Sequence, residues 1–288
     1  MCARHLRGVG TLYLVATPIG NLEDISRRAA RVLGEVARVL AEDTRRTSVL
    51  LNHLQVRPSL VSLHEHNEAE RTEEAMGWLA GGEDLALVSD AGTPLVSDPG
   101  ARLVRAAAAA GHPVVPLPGA SAVLAALIAS GLSSERFAFL GFPPRRGAER
   151  ARTLDRVAGS EETVVLFESP ERLGTLLADL VEACGEGRGV AVARELTKLH
   201  EEIVRGTLAD VLRYYEEHHP RGEVTLVVEA APQASAPDAA DQEAARSLAR
   251  ALVGEGLRPS HAAREVARRL GLPRNLAYEI VQALEQQD

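Results

Sequence analysis

Three short segments carry the residue types from which ligand loops are built: ATPIGNLED at 16–24, SDAGTPLVSDPG at 89–100 and LPGASA at 117–122. Glycine allows positive φ and close approach of backbone to a ligand, and proline fixes the shape of the loop. None of them contains GxGxxG or GxxxxGK, so neither a dinucleotide fingerprint nor a P-loop is expected. A fourth segment, LAEDTRRTSVLL at 40–51, gathers Glu42, Asp43, Thr44, Arg45 and Arg46. Guanidinium forks beside carboxylates suit a polar or phosphorylated substrate; the same residues also suit a helix cap with local ion pairing. In SLHEHNE at 62–68, His64 and His66 alternate as strand residues do, but no third ligand accompanies them and no metal site is expected. Of 32 cationic residues, Lys198 alone is lysine. Arginine keeps its proton at accessible pH whereas a desolvated lysine can lose it, which makes Lys198 a candidate for proton chemistry.

These residues need a frame, and β-branched runs alternating with helical patterns supply an α/β one. Strands are read at 12–16, 38–42, 60–63, 85–90 and 113–117, and the three glycine-proline loops each follow a strand's carboxyl end, the edge at which open α/β sheets bind ligands. The clearest helix carries Ile25, Ala29, Val32, Leu33 and Val36 on one face, with Asp24 as its expected cap. FAFLGFPPRRGAER, after Gly131, reads as a connection with a domain boundary near 135–145. A second set of strands is read at 161–169, 190–195, 201–206 and 223–230, with helices at 171–182 and 208–217. The expected organisation is an α/β domain at 10–135, a second at 136–230, an alanine-proline linker at 231–243 and a helical domain at 244–288. In the last, Ser260 and Asn275 are the expected caps, and Gly271-Leu272-Pro273 separates two helices that suit a helix-turn-helix or a plain three-helix module.

Composition narrows the classes. The chain has 288 residues, 45% of them hydrophobic and 25% charged, and a mean hydropathy of -0.06. That describes a globular protein of about two domains, not a disordered, collagenous or membrane-spanning one. The longest apolar run, 114–128, is interrupted by Pro116, Pro118, Gly119 and Ser121, and no apolar signal segment opens the chain, so a cytoplasmic location is expected. Cys2 and Cys184 are too few for a disulfide framework. The net charge of -8 repels phosphate on average, so a nucleic-acid partner must meet a local basic surface. Two runs qualify. Six arginines (Arg136, Arg145, Arg146, Arg150, Arg152, Arg156) face Glu149 and Asp155, and five (Arg258, Arg264, Arg268, Arg269, Arg274) face Glu265.

LYLVATPIGNLEDIS, AEDTRRTSVLL, VSDAGTPLVSDPG, PLPGASAVLAAL, FLGFPPR, LFESPERL, ARELTKLHEEIVRGTL and GEVTLVVE follow one another between residues 12 and 229. The series resembles the bacterial 16S rRNA (cytidine 2′-O)-methyltransferase branch of the tetrapyrrole methylase superfamily, and LRPSHAAREVARRLGLPRNLAYEIV resembles that branch's terminal helical domain. Tetrapyrrole-making relatives commonly carry Gly-Asp-Pro at Gly92-Thr93-Pro94, so this departure favours the rRNA branch.

The resemblance implies two α/β/α domains with S-adenosylmethionine in the cleft between them, a small helix-turn-helix-like terminal domain, and a homodimer acting on 16S rRNA in the small ribosomal subunit, without a DNA or membrane partner. It places the cofactor against Thr17, Pro18, Gly20, Asp90, Gly92, Thr93, Pro94, Val96, Ala120, Ser121, Ala122 and Phe167. A ribose hydroxyl must lose a proton as it is methylated, and Lys198, as neutral base or as cation, is the first expectation for that site, with Glu42 and Asp43 as the others. Arg45 and Arg194 would hold phosphate, Glu195 would orient Lys198, and Arg145, Arg146, Arg268, Arg269 and Arg274 would meet RNA. With aromatic residues at 3%, base stacking contributes little. Two alternatives share these features: methylation of a tetrapyrrole precursor, and a non-catalytic RNA-binding assembly protein.

Overall fold

The computed structural model describes residues 9–232, 239–254, 257–270, 272 and 274–285. Strands β1 (Leu12–Val15), β2 (Arg38–Ala41), β3 (Ser59–Ser62), β4 (Leu85–Val88) and β5 (Val114–Leu117) form a sheet in the order β3-β2-β4-β1-β5. Every pairing in it is parallel. Side chains alternate across a strand, so each strand feeds two cores. Val39, Ala41, Ala86 and Val88 pack on α1 (Arg27–Glu35) and α2 (Thr44–His53). Leu40, Leu85 and Leu87 pack on α3 (Glu68–Ala80) and α4 (Ala101–Ala109). Burial on both faces explains why these strands read as continuous apolar runs.

The cap expected at Asp24 lies at Ser26, whose hydroxyl accepts from the Ala29 amide at 3.1 Å. Asp24 instead closes a short 3₁₀ turn, Leu22–Asp24, and Ile25 is extended between turn and helix. Both residue types cap well; the extended residue decides which of them does.

A second sheet contains β6 (Phe137–Phe139), β7 (Thr163–Glu168), β8 (Gly189–Arg194), β9 (Glu202–Thr207) and β10 (Val224–Val228), in the order β6-β7-β10-β8-β9. β6 and β7 run parallel and the other neighbours antiparallel. The stretch expected to be a connection thus contains an edge strand, and Pro143 and Pro144, which cannot donate to a ladder, follow it. α6 (Ala148–Ala158), α7 (Pro170–Cys184) and α8 (Leu208–Glu217) cover one face through Val157, Leu173, Leu176, Leu177, Leu180 and Val211. Each fully buried leucine contributes about 1.5–3 kcal/mol. The other face receives α5 (Ala122–Ser130), the helix after β5, whose Val123, Ala126 and Leu127 pack on Val165, Ala191, Ala193 and Val227. One helix therefore joins the two sheets within the unit Met1–Ala231.

The second unit, Pro232–Asp288, holds α9 (Ala239–Gly254), α10 (Pro259–Leu270) and α11 (Arg274–Glu285) around Ala245, Ala249, Leu252, Ala263, Val266 and Val281. Its small alanine-rich core lets the three helices approach closely. α10 and α11 begin one residue ahead of the expected caps Ser260 and Asn275. Much of the expected linker, 233–238, and part of the expected turn, Gly271 and Pro273, lie outside the described residues. Among the described residues no helix is long and apolar enough to cross a membrane.

Candidate functional site

The segments leaving β2, β4, β1 and β5 are neighbours at the carboxyl edge of the parallel sheet. Backbone bonds knit them together. Thr17 N–H donates to Gly92 O at 2.9 Å and Gly92 N–H returns a bond to Thr17 O at 3.0 Å. The Thr17 hydroxyl donates to Ser89 O (3.2 Å), the Ser89 hydroxyl to Gly92 O (3.0 Å) and the Thr93 hydroxyl to Ala120 O (3.3 Å). Ser121 caps α5 by accepting from the Leu124 amide. Gly92, at φ 84°, supplies a conformation costly for other residues.

Between this edge and the start of the second sheet lies a cavity of about 430 Å³. Ile19, Glu42, Arg46, Ala122 and the 90–98 loop line one side; Phe142, Phe167, Glu168 and the start of β10 line the other. Of the residues expected to hold cofactor, Asp90, Val96, Ala122 and Phe167 reach the cavity. Thr17, Gly92, Thr93, Ala120 and Ser121 tie the loops together, and Pro18, Gly20 and Pro94 stand outside the lining.

The lining is acidic. Glu42, Asp90 and Asp98 come together with Arg46, whose Nη1 stands 3.7 Å from Asp90 Oδ2. Burial, and after it the charges of Asp90 and Glu65, push the Glu42 carboxyl above its usual range. Asp98 is pushed up to about 6 by burial first and then by Glu42 and Asp90. Glu168, 2% exposed, accepts from the Ser169 amide at 2.8 Å through Oε1. Its Oε2 accepts no hydrogen bond among the described residues, although Arg172 Nη2 lies 3.0 Å away. Carboxylates beside the tilted Phe142 and Phe167 rings, 5.4 Å apart, make a cavity suited to a cationic ligand with an apolar part.

Asp43 does not reach the cavity. It caps α2, accepts from the Arg45 amide at 2.9 Å and pairs with the Arg45 guanidinium at 2.7 Å, a hydrogen bond that holds its carboxyl at about 2. Lys198 also lies outside the lining. Its ammonium donates to Glu195 Oε1 at 2.8 Å and Glu223 Oε2 at 3.2 Å, and it is Glu223 that lines the cavity. Burial alone would lower the Lys198 pKa, but the two carboxylates outweigh it and the net displacement is upward. Of its two expected forms, the geometry favours the cation. Glu195 and Thr197 hold φ values of 50° and 65°, and the Thr197 hydroxyl accepts from the Asn21 amide at 3.0 Å, tying this loop to the one after β1.

Arg194 is occupied by Glu202 at 3.1 Å and by Arg221 O. Arg150 is likewise engaged by Asp179 and Arg136 by Glu162, whereas Arg145 and Arg146 are exposed. Arg269 pairs with Glu265 at 2.8 Å; the side chains of Arg268 and Arg274 lie outside the described residues. His64 and His66 fall beyond the end of β3, in a turn, and no group able to hold a metal occurs among the described residues. The sequence reading missed Ile19, Asp98, Glu168 and Glu223 as lining residues. All four sit inside segments it had singled out, where nothing in residue type separates a side chain facing a cavity from one closing a turn.

Residues 11–212 match the family model described as Tetrapyrrole (Corrin/Porphyrin) Methylases. The Ribosomal RNA small subunit methyltransferase I of Synechocystis is 45% identical over 96% of this chain and 99% of its own. Its namesake from Micromonospora olivasterospora is 47% identical over 95% of this chain and 87% of its own. A uroporphyrin-III C-methyltransferase from Thermus thermophilus, solved with S-adenosylhomocysteine, shares the fold at a TM-score of 0.55 and 20% identity, over 76% of this chain and 97% of its own.

Proposed function

The chain belongs to the tetrapyrrole methylase family and, within it, to the ribosomal RNA small subunit methyltransferase I group, and from that premise we propose that it methylates the ribose 2′-oxygen of a cytidine in 16S rRNA from S-adenosylmethionine bound in the cavity. The observation that carries this reading is near full-length similarity to rRNA methyltransferases in a chain whose family-specific loops enclose an acidic, aromatic-walled cavity. When bound, the cofactor supplies a methyl group on a cationic sulfur. Glu42 and Asp90 would favour that charge, and Phe167 and Phe142 would cover the apolar part. Thr17, Gly92, Thr93 and Ser121 would hold the loops in shape before the ligand arrives, so little ordering entropy remains to be lost on binding.

The RNA would meet the exposed Arg145 and Arg146 after β6 and the arginines of the terminal unit. The decisive experiment is methyl transfer from labelled S-adenosylmethionine to small ribosomal subunits lacking the modification, with mass-spectrometric assignment of the nucleoside. The expected product is 2′-O-methylcytidine; label in a tetrapyrrole and none in RNA refutes the reading. In the same preparation, replacing Arg145 and Arg146 by Ala should lower the slope of log affinity against log salt by about 1–2 while cofactor affinity holds.

The homodimer is proposed on the outer face of α5. Leu124 and Ile128, one helical turn apart, are 51% and 76% exposed although the same helix buries its opposite face. A second copy is the occupant that such a face suits. Sedimentation velocity should show a dimer for the wild type and a monomer for Ile128→Glu; a wild-type monomer refutes it.

A further inference from the structure

We propose that Asp98 is the proton acceptor of the transfer, its carboxylate being held in the cavity by a loop pinned at both ends and taking the proton of the attacking ribose hydroxyl. The inference deepens the functional reading above and rests on it.

Position comes first. The loop leaves β4 through the paired amides of Thr17 and Gly92 and ends where Glu68 Oε1 accepts from the amides of Gly100 at 3.1 Å and Arg102 at 2.9 Å. Between these anchors Leu95 and Ser97 adopt φ values of 72° and 70°, and Pro99 disfavours helical backbone at Asp98. Left-handed backbone at two non-glycine residues is strained and persists where the surroundings over-determine it. Asp98 lines the cavity.

Three of the other carboxylates in the lining already have partners. Asp90 accepts from the Asp43 amide at 2.9 Å and faces Arg46; Glu168 accepts from Ser169 beside Arg172; Glu223 accepts from Lys198. Glu42, the remaining carboxylate of the lining, has its pKa raised first by burial and then by Asp90 and Glu65, against the weaker pull of Arg46 and His64; what sets Asp98 apart from it is the pinned loop that carries it. Asp98 is reached by no ion pair among the described residues, and the Ser89 hydroxyl beside it gives its proton to Gly92 O. The charged groups facing the cavity around it are Glu42 just after β2, Asp90 just after β4, Arg46 on α2, Glu168 on β7 and Glu223 just before β10. Burial, with Glu42 and Asp90 behind it, raises its pKa to about 6. Such a group is ionised at neutral pH and still a better base than an ordinary carboxylate.

In the step, the hydroxyl O–H bond breaks with its electron pair left on oxygen and the proton on Asp98. The oxygen forms its bond to the methyl carbon as the carbon–sulfur bond gives its pair to sulfur. Asp98 then releases the proton to solvent.

Two measurements test this. Carbon-13 NMR of the full-length chain labelled in aspartate, titrated between about pH 4 and 8 without cofactor, should show a carboxyl titrating near 6 that is missing from Asp98→Asn. In single-turnover transfer to small subunits, Asp98→Asn should lose a factor of about 10²–10⁴, with S-adenosylmethionine affinity by calorimetry within about threefold of wild type. Asp98→Glu should recover part of the rate and keep the rise of rate with pH. Transfer by Asp98→Asn at the wild-type rate, absence of the titration, or a wild-type rate flat through that pH range overturns the proposal. If Asp98→Asn fails to fold, the wild-type titration and pH profile decide. A wild-type chain that methylates no subunit RNA overturns the functional reading and this inference with it, whereas an active wild type with an equally active Asp98→Asn overturns this inference alone.

Discussion

Lys198→Met should unfold at lower urea than wild type, by about 1–3 kcal/mol at pH 7, an amount between an exposed and a buried ion pair. The ammonium sits between Glu195 and Glu223, with Lys198 and Glu195 mostly covered and Glu223 exposed. Removing it leaves two carboxylates facing each other. The Lys198 hydrogen bond is the main cause that depresses the Glu195 pKa. Stability from a depressed carboxyl is present above its unfolded value, about 4.3, and is lost as pH falls through the lower folded value. Stability from the raised Lys198 is present below about 10.4 and is lost only as pH rises through its higher folded value. The deficit of the Met variant should therefore be flat across neutral pH and shrink below about pH 4. Equal urea midpoints at pH 7, or a deficit that widens in acid, refute this account. Transfer should slow by about tenfold or more because Glu223 loses its fixed position in the cavity wall. Lys198→Arg separates the roles: a cation that anchors Glu195 and Glu223 is largely replaced by arginine, whereas a neutral base is not.

That triad also shows where the sequence was legible. The solitary lysine marked Lys198, and Glu195 was read as its partner from three positions away. Glu223 lies 25 residues further along and reaches Lys198 because β10 pairs with β8, placing Val224 opposite Arg194. Strand existence was readable from the apolar runs, but strand order was not, and order decides which loops share an edge. Phe137–Phe139 escaped because three residues carry no usable period. Asp98 escaped for another reason: Asp-Pro-Gly is turn chemistry, and only the backbone at Leu95 and Ser97 turns it into part of a cavity wall.

Gly20→Ala should cost about 1–3 kcal/mol by overpacking and slow methyl transfer by up to about 10², although Gly20 is not itself in the cavity. A Cβ at Gly20 would stand 2.4 Å from Lys198 Cγ, 2.8 Å from Thr197 Oγ1 and 2.9 Å from Leu196 O. The lysine stem can swing; the Leu196 carbonyl belongs to a backbone held by the positive φ of its neighbours Glu195 and Thr197. The two loops must part, which stretches the bond from the Asn21 amide to Thr197 and moves Ile19, a residue of the cavity wall. Gly77, in the last turn of α3, is the control, because a Cβ there meets nothing within 4 Å. Gly77→Ala should raise stability by about 0.5–1 kcal/mol through helix propensity and leave transfer unchanged. If both alanine variants behave alike in denaturation and in transfer, the close approach at Gly20 does not hold the site. If only Gly20→Ala loses both, loop contact and catalysis are coupled through the tie between residues 20–21 and 196–198.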